Sequence, residues 1–91
     1  MCTMIASKVH AVGCAKGHDG WFDIDHVYVA YDHPFRAPME HAVMLDFVNE
    51  SAGVEARVGV ELDVASARAL AKQILEAVTQ AEAHETSGAR P

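Results

Sequence analysis

Apolar and polar residues alternate with a period of two in four segments of the chain, and this alternation predicts four β-strands. The predicted strands span residues 2–12, 21–32, 41–49 and 55–62. Because a period of two places successive side chains on opposite faces of a sheet, each strand is expected to have one apolar face and one mixed face.

Glycine and proline mark the connections between these strands. Residues 13–20, GCAKGHDG, contain three glycines and are predicted to form a loop. Pro34 and Pro38 disfavour helix at the residue before each, so residues 34–40 are predicted to be an irregular connection. A further loop is expected at residues 50–54.

The pattern changes after the fourth strand, where apolar residues recur at spacings of three and four from Val64 to about Glu82. This period predicts an amphipathic helix, and Asp63 is placed to cap its first turn. Residues 84–91 are polar and are predicted to form a flexible tail. We therefore expect a single α+β domain over residues 1–83, a four-stranded antiparallel sheet with one C-terminal helix on one face.

The apolar faces of the second and third strands also predict how these strands pair. If they form a hairpin, the matched positions are Val27 with Phe47, Val29 with Leu45, and Tyr31 with Val43. A shift by one residue would turn the apolar side chains to the wrong face, so the parity of the register is strongly specified. The same register places His33 opposite His41.

The amount of apolar sequence exceeds what one small core needs. The chain has 91 residues, of which 51% are hydrophobic. One helix covers one face of a sheet, and the other face is predicted to mix Tyr28, Met44 and Val48 with charged side chains. We expect a homodimer, in which a second copy covers this face, or a cleft along it.

Charge and hydropathy exclude two classes of protein. The net charge is −6 and the seven basic residues are scattered, whereas nucleic-acid-binding proteins cluster Lys and Arg against phosphates. No apolar run approaches the roughly 18 residues that a membrane span needs. With no export signal in the opening residues, we expect a cytoplasmic protein that binds neither nucleic acid nor membrane.

His33 and His41 are the sharpest candidates for chemistry. Two imidazoles and a carboxylate from Glu40 or Asp32 are a ligand set for a divalent metal ion. A hypothesis without metal keeps His33, His41 and Asp32 as catalytic groups that move protons. The structural alternative, which we favour over both, is that these residues cap strand ends and bond to main-chain atoms.

Other polar and aromatic residues are candidates for ligand binding. They are Lys16, Trp21, Tyr28 and Tyr31. The loop at residues 13–20 could hold an anion on its main-chain amides, although it lacks the phosphate-binding loop pattern. Cys14 is expected to be an ordinary thiol rather than a reactive one, and Asp46 with Arg57 is expected to form a structural ion pair between adjacent strands.

Several short motifs spread over most of the chain resemble a family of small, functionally uncharacterised actinobacterial proteins. The motifs are Met1-Cys2-Thr3, Lys16-Gly17, Gly20-Trp21, Tyr31-Asp32-His33-Pro34, Glu40-His41-Ala42, Asp46-Phe47-Val48-Asn49 and Val60-Glu61-Leu62. The resemblance implies no activity. It does imply that the glycine-rich loop and the histidine hairpin belong to one site.

These observations rank three functions. The first is a small-molecule-binding or accessory protein with its site around the histidine hairpin and residues 13–20. The second is a small dimeric enzyme that uses His33 and His41 for acid-base or metal-assisted chemistry. The third is a structural interaction module.

Overall fold

The four predicted strands form one antiparallel sheet. The structure, a computed structural model, describes residues 5–53 and 56–86. Its elements are β1 (Ile5–Gly17), β2 (Gly20–Asp32), β3 (Ala42–Val48), a short 3-10 helix (Glu50–Ala52), β4 (Arg57–Leu62) and α1 (Val64–Thr86). The strands lie in the order β1-β2-β3-β4, so each pairs with its neighbour in sequence. The predicted α+β fold is confirmed.

The predicted register of the central hairpin is also confirmed. In the β2–β3 ladder, Val27 pairs with Phe47, Val29 with Leu45, and Tyr31 with Val43. The β3–β4 ladder continues the same parity and pairs Leu45 with Val60. The apolar positions of three strands therefore share one face. We call the opposite face of the sheet the open face.

The predicted loop at residues 13–20 is wrong, because β1 continues through these residues to Gly17. A shift in register between His10 and Gly13 absorbs the irregularity in the apolar pattern, and pairing then resumes. The chain reverses in the two residues between Gly17 and Gly20, where Gly20 has a φ of 118° that glycine adopts without strain. The glycines thus serve a bulge and a tight turn rather than a loop.

Element ends differ from the predictions by a few residues. Residues 2–4 of the first predicted strand and residue 55 of the fourth lie outside the described residues. The third strand begins at Ala42 and the fourth at Arg57. The helix continues to Thr86, so the first three residues of the predicted tail are helical, and residues 87–91 lie outside the described part.

The helix begins where the sequence predicts. The carboxylate of Asp63 accepts a hydrogen bond of 2.7 Å from the Ser66 amide, which satisfies one of the free N–H groups of the first turn. The helix lies on the apolar face of the sheet and makes its main contacts with β3. No helix in the described residues is long and apolar enough to cross a membrane.

The chain alone leaves its apolar side chains poorly covered. Ala42 is the only hydrophobic residue in the described part that is fully buried. A groove of about 750 Å³ separates the helix from the sheet, with Val29, Leu45 and Leu62 on the sheet side. Ten large hydrophobic side chains are exposed in the described part of the chain; five of them lie on α1, whereas Tyr28 and Phe35 lie on the side of the open face. The surplus apolar surface is thus mainly on the helix and not, as the sequence suggested, on the open face.

Candidate functional site

His33 and His41 lie together at the end of the β2–β3 hairpin. Their ring centroids are 4.5 Å apart and the rings are stacked at 29°. The Tyr31 ring is stacked against His41 at 5.5 Å. The three rings form one aromatic group, and the predicted proximity of the two histidines is present.

Two hydrogen bonds are described at His33, and each involves a main-chain group. Nδ1 of His33 lies 3.1 Å from the carbonyl oxygen of Glu40, and the carboxylate of Asp32 accepts 2.7 Å from the His33 amide. In residues 5–53 and 56–86, no group of three or more His, Cys, Asp or Glu side chains could hold a metal ion. The structure therefore supplies the stacked rings, but no carboxylate bonded to a ring in the contacts it describes.

The candidate ligand-binding residues do not line one pocket. Trp21 and Tyr31 lie on the same face of β2 but ten residues apart, which is about 33 Å along a strand. Tyr28 lies on the opposite face. Lys16 pairs with Trp21 at the far end of the β1–β2 hairpin, away from the histidines. The β1–β2 turn and the histidine pair at the end of the β2–β3 hairpin are thus two separate regions.

Cys14 lies in the extended part of β1, where its thiol donates a hydrogen bond of 3.2 Å to Asp23. This bond raises the pKa of the thiol, because ionisation would place a second negative charge beside the carboxylate. A raised pKa leaves less thiolate at neutral pH. The geometry therefore agrees with the ordinary thiol that the sequence suggested.

Two adjoining cavities lie along β3 and β4 on the open face. The first, of about 580 Å³, is lined by Phe35, Met44 and Glu61, and the second, of about 510 Å³, by Tyr28, Val48 and Glu50. Asp46 and Arg57 line both. We call the two cavities together the open-face cleft.

Glu61 holds one wall of the cleft in place. Its carboxylate accepts three consecutive main-chain hydrogen bonds, from Phe35 at 2.6 Å, Arg36 at 3.0 Å and Ala37 at 2.8 Å. These bonds, led by that from Phe35, hold the pKa of Glu61 below its ordinary value because they favour the charged form. The connection between β2 and β3 is thereby fixed against β4.

Asp46 and Arg57 meet in the middle of the cleft. Asp46 pairs with Gly59 and Arg57 with Val48, so the two side chains are diagonal neighbours on the open face. Nη2 of Arg57 donates to Oδ2 of Asp46 at 2.6 Å, which is the predicted cross-strand ion pair. Oδ1 of Asp46 is buried and has no hydrogen-bond partner among the described residues.

Gly59 has no side chain, and this leaves space for the carboxylate of Asp46. A Cβ atom at Gly59 would lie 3.1 Å from Oδ1 of Asp46, which is closer than ordinary van der Waals contact. A side chain at this position would push Asp46 towards the cleft. The close approach of Asp46 therefore explains why a glycine stands in the middle of β4.

A polar network closes the far end of the cleft around Glu50. Its carboxylate accepts a short hydrogen bond from the Tyr28 hydroxyl and lies 3.1 Å from Nζ of Lys8. The Tyr28 bond first, and then Lys8, hold the pKa of Glu50 below its ordinary value. The same contact with Glu50 raises the pKa of Tyr28 and that of Lys8.

Asp25 joins this network to the short 3-10 helix. Its carboxylate accepts from the Glu50 amide at 3.0 Å and lies 3.0 Å from Nδ1 of His26. The bond from the Glu50 amide is the main cause that holds the pKa of Asp25 below its ordinary value. Asn49 caps the 3-10 helix through the Ala52 amide at 3.1 Å. The far wall is thus positioned by hydrogen bonds that tie the 3-10 helix to β2.

The sequence predicted no role in the cleft for Glu61, Phe35 or Glu50. The cleft residues that it did single out are Tyr28, Met44, Asp46, Val48 and Arg57. Glu61 is separated by more than twenty residues from the amides that it binds, so no local pattern could signal the contact. The alternation in β4 did place Glu61 on the open face. This alternation was the sequence signal that could have pointed to Glu61 as a cleft residue.

Comparisons with known proteins identify a family whose function is unknown. The model of a protein family described as a family of unknown function matches residues 1–87. No curated protein matches the chain, and no solved structure matches it. An uncharacterised family, which the sequence motifs suggested, is therefore confirmed.

Proposed function

Because the chain belongs to this family, DUF6295, whose function is unknown, we propose from the geometry of its own residues that it binds a small molecule in the open-face cleft. The observation that carries the proposal is the Asp46–Arg57 ion pair, which lines both cavities. Ligand pockets commonly have volumes of about 300–1,000 Å³ and combine apolar walls with a few placed polar groups. Each of the two cavities has both properties.

Arg57 defines the chemistry of the ligand. An arginine carries five N–H donors and no acceptor, and Asp46 takes up the Nη2 side of this guanidinium. The Arg57 side chain is 54% exposed, so its remaining donors can be reached from the cleft. They suit a carboxylate, a phosphate or a carbonyl group. Phe35, Met44 and Val48 supply apolar surface for the body of such a molecule.

A matched pair of probes tests this assignment. 4-Phenylbutyrate carries an apolar ring and a carboxylate, and 4-phenylbutyramide replaces the carboxylate with a neutral amide. We expect Arg57→Ala to weaken binding of the acid by at least about tenfold, since a hydrogen bond to a charged group contributes about 1.5–3 kcal/mol. The same substitution should weaken binding of the amide by a smaller factor. Titrations followed by amide chemical shifts give both affinities.

Lys72→Ala is the control, because Lys72 is a basic residue on the helix, across the sheet from the cleft. It should leave both affinities unchanged. Equal loss of binding in Arg57→Ala and Lys72→Ala would show that net charge rather than the cleft attracts the acid. Binding of the acid to Arg57→Ala with wild-type affinity would overturn the role of Arg57.

We also propose that the protein acts as a homodimer. The accessible surface of the chain is 6976 Å², whereas about 5,200 Å² is expected for a compact monomer of this mass. Its radius of gyration of 15.4 Å likewise exceeds the roughly 12 Å expected for 91 residues. Both differences support a second copy as the cover for apolar surface. Sedimentation equilibrium should give twice the mass of 9.8 kDa, and a monomer at all concentrations would contradict the proposal.

A further inference from the structure

The helix α1 has two apolar seams rather than one. The inner seam consists of Ala67, Leu70, Ile74, Ala77 and Ala81. The outer seam consists of Val64, Ala71, Leu75 and Val78. At 3.6 residues per turn the two seams lie about 90° apart around the helix. Ala67 on the inner seam is the one half-buried residue among residues 64–85, and residues of both seams line the groove between helix and sheet.

The outer seam borders the groove between helix and sheet, which Val64, Ala71 and Leu75 line and which the chain leaves unfilled. Leu75 is 67% exposed, Val64 is 51% exposed and Val78 is 44% exposed. Exposed leucine and valine in a row on a helix are a costly surface for a protein of this size, whereas single exposed residues would need no explanation. The seam therefore indicates a partner with an apolar face of the same length.

The spacing along the outer seam is that of a coiled coil. Positions 64, 68, 71, 75, 78 and 82 follow one another at intervals of four and three, which places them in one line along a helix that faces another helix. Arg68 interrupts the apolar line near its start, and Glu82 interrupts it near its end. Glu85 continues the acidic end by one further step.

We propose that α1 of a second copy of this chain packs antiparallel on the outer seam. This arrangement brings Leu75 and Val78 of the two copies together near the twofold axis. It also places Arg68 of each copy beside the acidic end, Glu82 and Glu85, of the other. A parallel arrangement would instead oppose like charges at both ends, which is unfavourable.

The excess surface is larger than such an interface requires. The chain exposes about 1,800 Å² more than a compact monomer of its mass, and a stable interface buries about 800 Å² on each partner. The open-face cleft lies on the other side of the sheet from α1, so it stays accessible in such a dimer. The inference rests on the homodimer proposed above, but it is independent of the ligand.

Cysteine crosslinking tests the position of the interface. In a Cys2→Ser/Cys14→Ser background, Leu75→Cys should be converted to a covalent dimer by a short bis-maleimide. Gln73→Cys is the matched control, because Gln73 lies on the opposite side of the helix from the outer seam. Crosslinking of Gln73→Cys at the rate of Leu75→Cys in a protein that sediments as a dimer would overturn the helix interface and leave the homodimer standing. A monomer by sedimentation would overturn both.

A charge exchange tests the antiparallel direction. In the antiparallel dimer, Arg68→Glu places like charges at both ends of the seam, and adding Glu82→Arg/Glu85→Arg to the same chain restores opposite charges. In a parallel dimer each residue faces its own copy, so both variants keep the like charges of the wild type. We expect Arg68→Glu to weaken dimerisation by at least about threefold in sedimentation equilibrium and the triple variant to regain the wild-type affinity. A dimer affinity that Arg68→Glu leaves unchanged, or that the triple variant does not regain, would overturn the antiparallel arrangement.

Discussion

Replacing Glu61 with alanine is expected to release the connection between β2 and β3 from the sheet. The variant removes the acceptor of three consecutive main-chain hydrogen bonds, from Phe35, Arg36 and Ala37, and no side chain takes its place. We expect the amide protons of these three residues to exchange with solvent at least about tenfold faster, since loss of even one bond of about 1.4 kcal/mol has this effect. Hydrogen exchange followed by NMR measures it directly.

Two further variants make this result specific. Glu61→Gln keeps the shape of the side chain but removes its charge, so it should weaken protection less than alanine does. Glu76→Ala removes a glutamate from the exposed surface of the helix and should leave the three amides unchanged. Wild-type exchange rates at residues 35–37 in Glu61→Ala would show that the carboxylate does not hold this wall.

The same contact gives a pH dependence with a definite sign. The pKa of Glu61 is lowered in the folded protein, so the charged carboxylate stabilises the connection at every pH above the ordinary glutamate value. The stabilisation is lost as the pH falls from that value through the lowered pKa. Protection of the three amides should therefore be constant around neutral pH and fall in acid, and Glu61→Gln should lack this dependence.

Ala42→Leu is expected to destabilise the whole domain. Ala42 is fully buried at the start of β3, directly after the connection that Glu61 anchors, so a larger side chain has to displace its neighbours. Overpacking of a buried site costs about 1–3 kcal/mol. In a domain of this size each kcal/mol lowers Tm by about 4–8 °C, and thermal unfolding at one fixed protein concentration measures the shift.

Ala69→Leu provides the comparison for this variant. The same substitution is made on an exposed helix position, on the side of α1 away from both apolar seams, and leucine is nearly as good a helix former as alanine. Its Tm should stay near that of the wild type. If both variants unfolded at the same temperature, Ala42 would not occupy a tightly packed site.

The central hairpin shows how much of the fold follows from the two-residue period of a strand, which determines the face of the sheet on which each side chain lies. The alternation around Val29 and Leu45 fixed which side chains face each other, because a slip by one residue would expose the apolar set. This placed His33 beside His41, and Asp63 was recognised as a helix cap from its position alone. These features depend on neighbours in sequence or on matching patterns in adjacent strands.

Other features depend on contacts that no local pattern encodes. The glycines of residues 13–20 suggested a loop, since glycine is the strongest signal for one, but strand pairing with β2 extends β1 through them. Glu61 and Glu50 bond to distant segments of the chain and thereby position the walls of the cleft. Such contacts do not change the alternation of apolar and polar residues, so the pattern could not reveal them. Of the two histidines, His33 is bonded to a main-chain carbonyl, and His41 is described by its stacking on the rings of His33 and Tyr31.

The most direct test of the account is to locate a bound acid with respect to two methionines. Met44 lines the open-face cleft and Met39 does not, although both lie between β2 and the end of β3. With methionine methyl groups labelled with carbon-13 and 4-phenylbutyrate in solution, we predict nuclear Overhauser effects from the ring protons to the Met44 methyl and none to Met39. Effects confined to side chains of α1, or none at a saturating concentration of the acid, would contradict the proposal that the open-face cleft is the binding site.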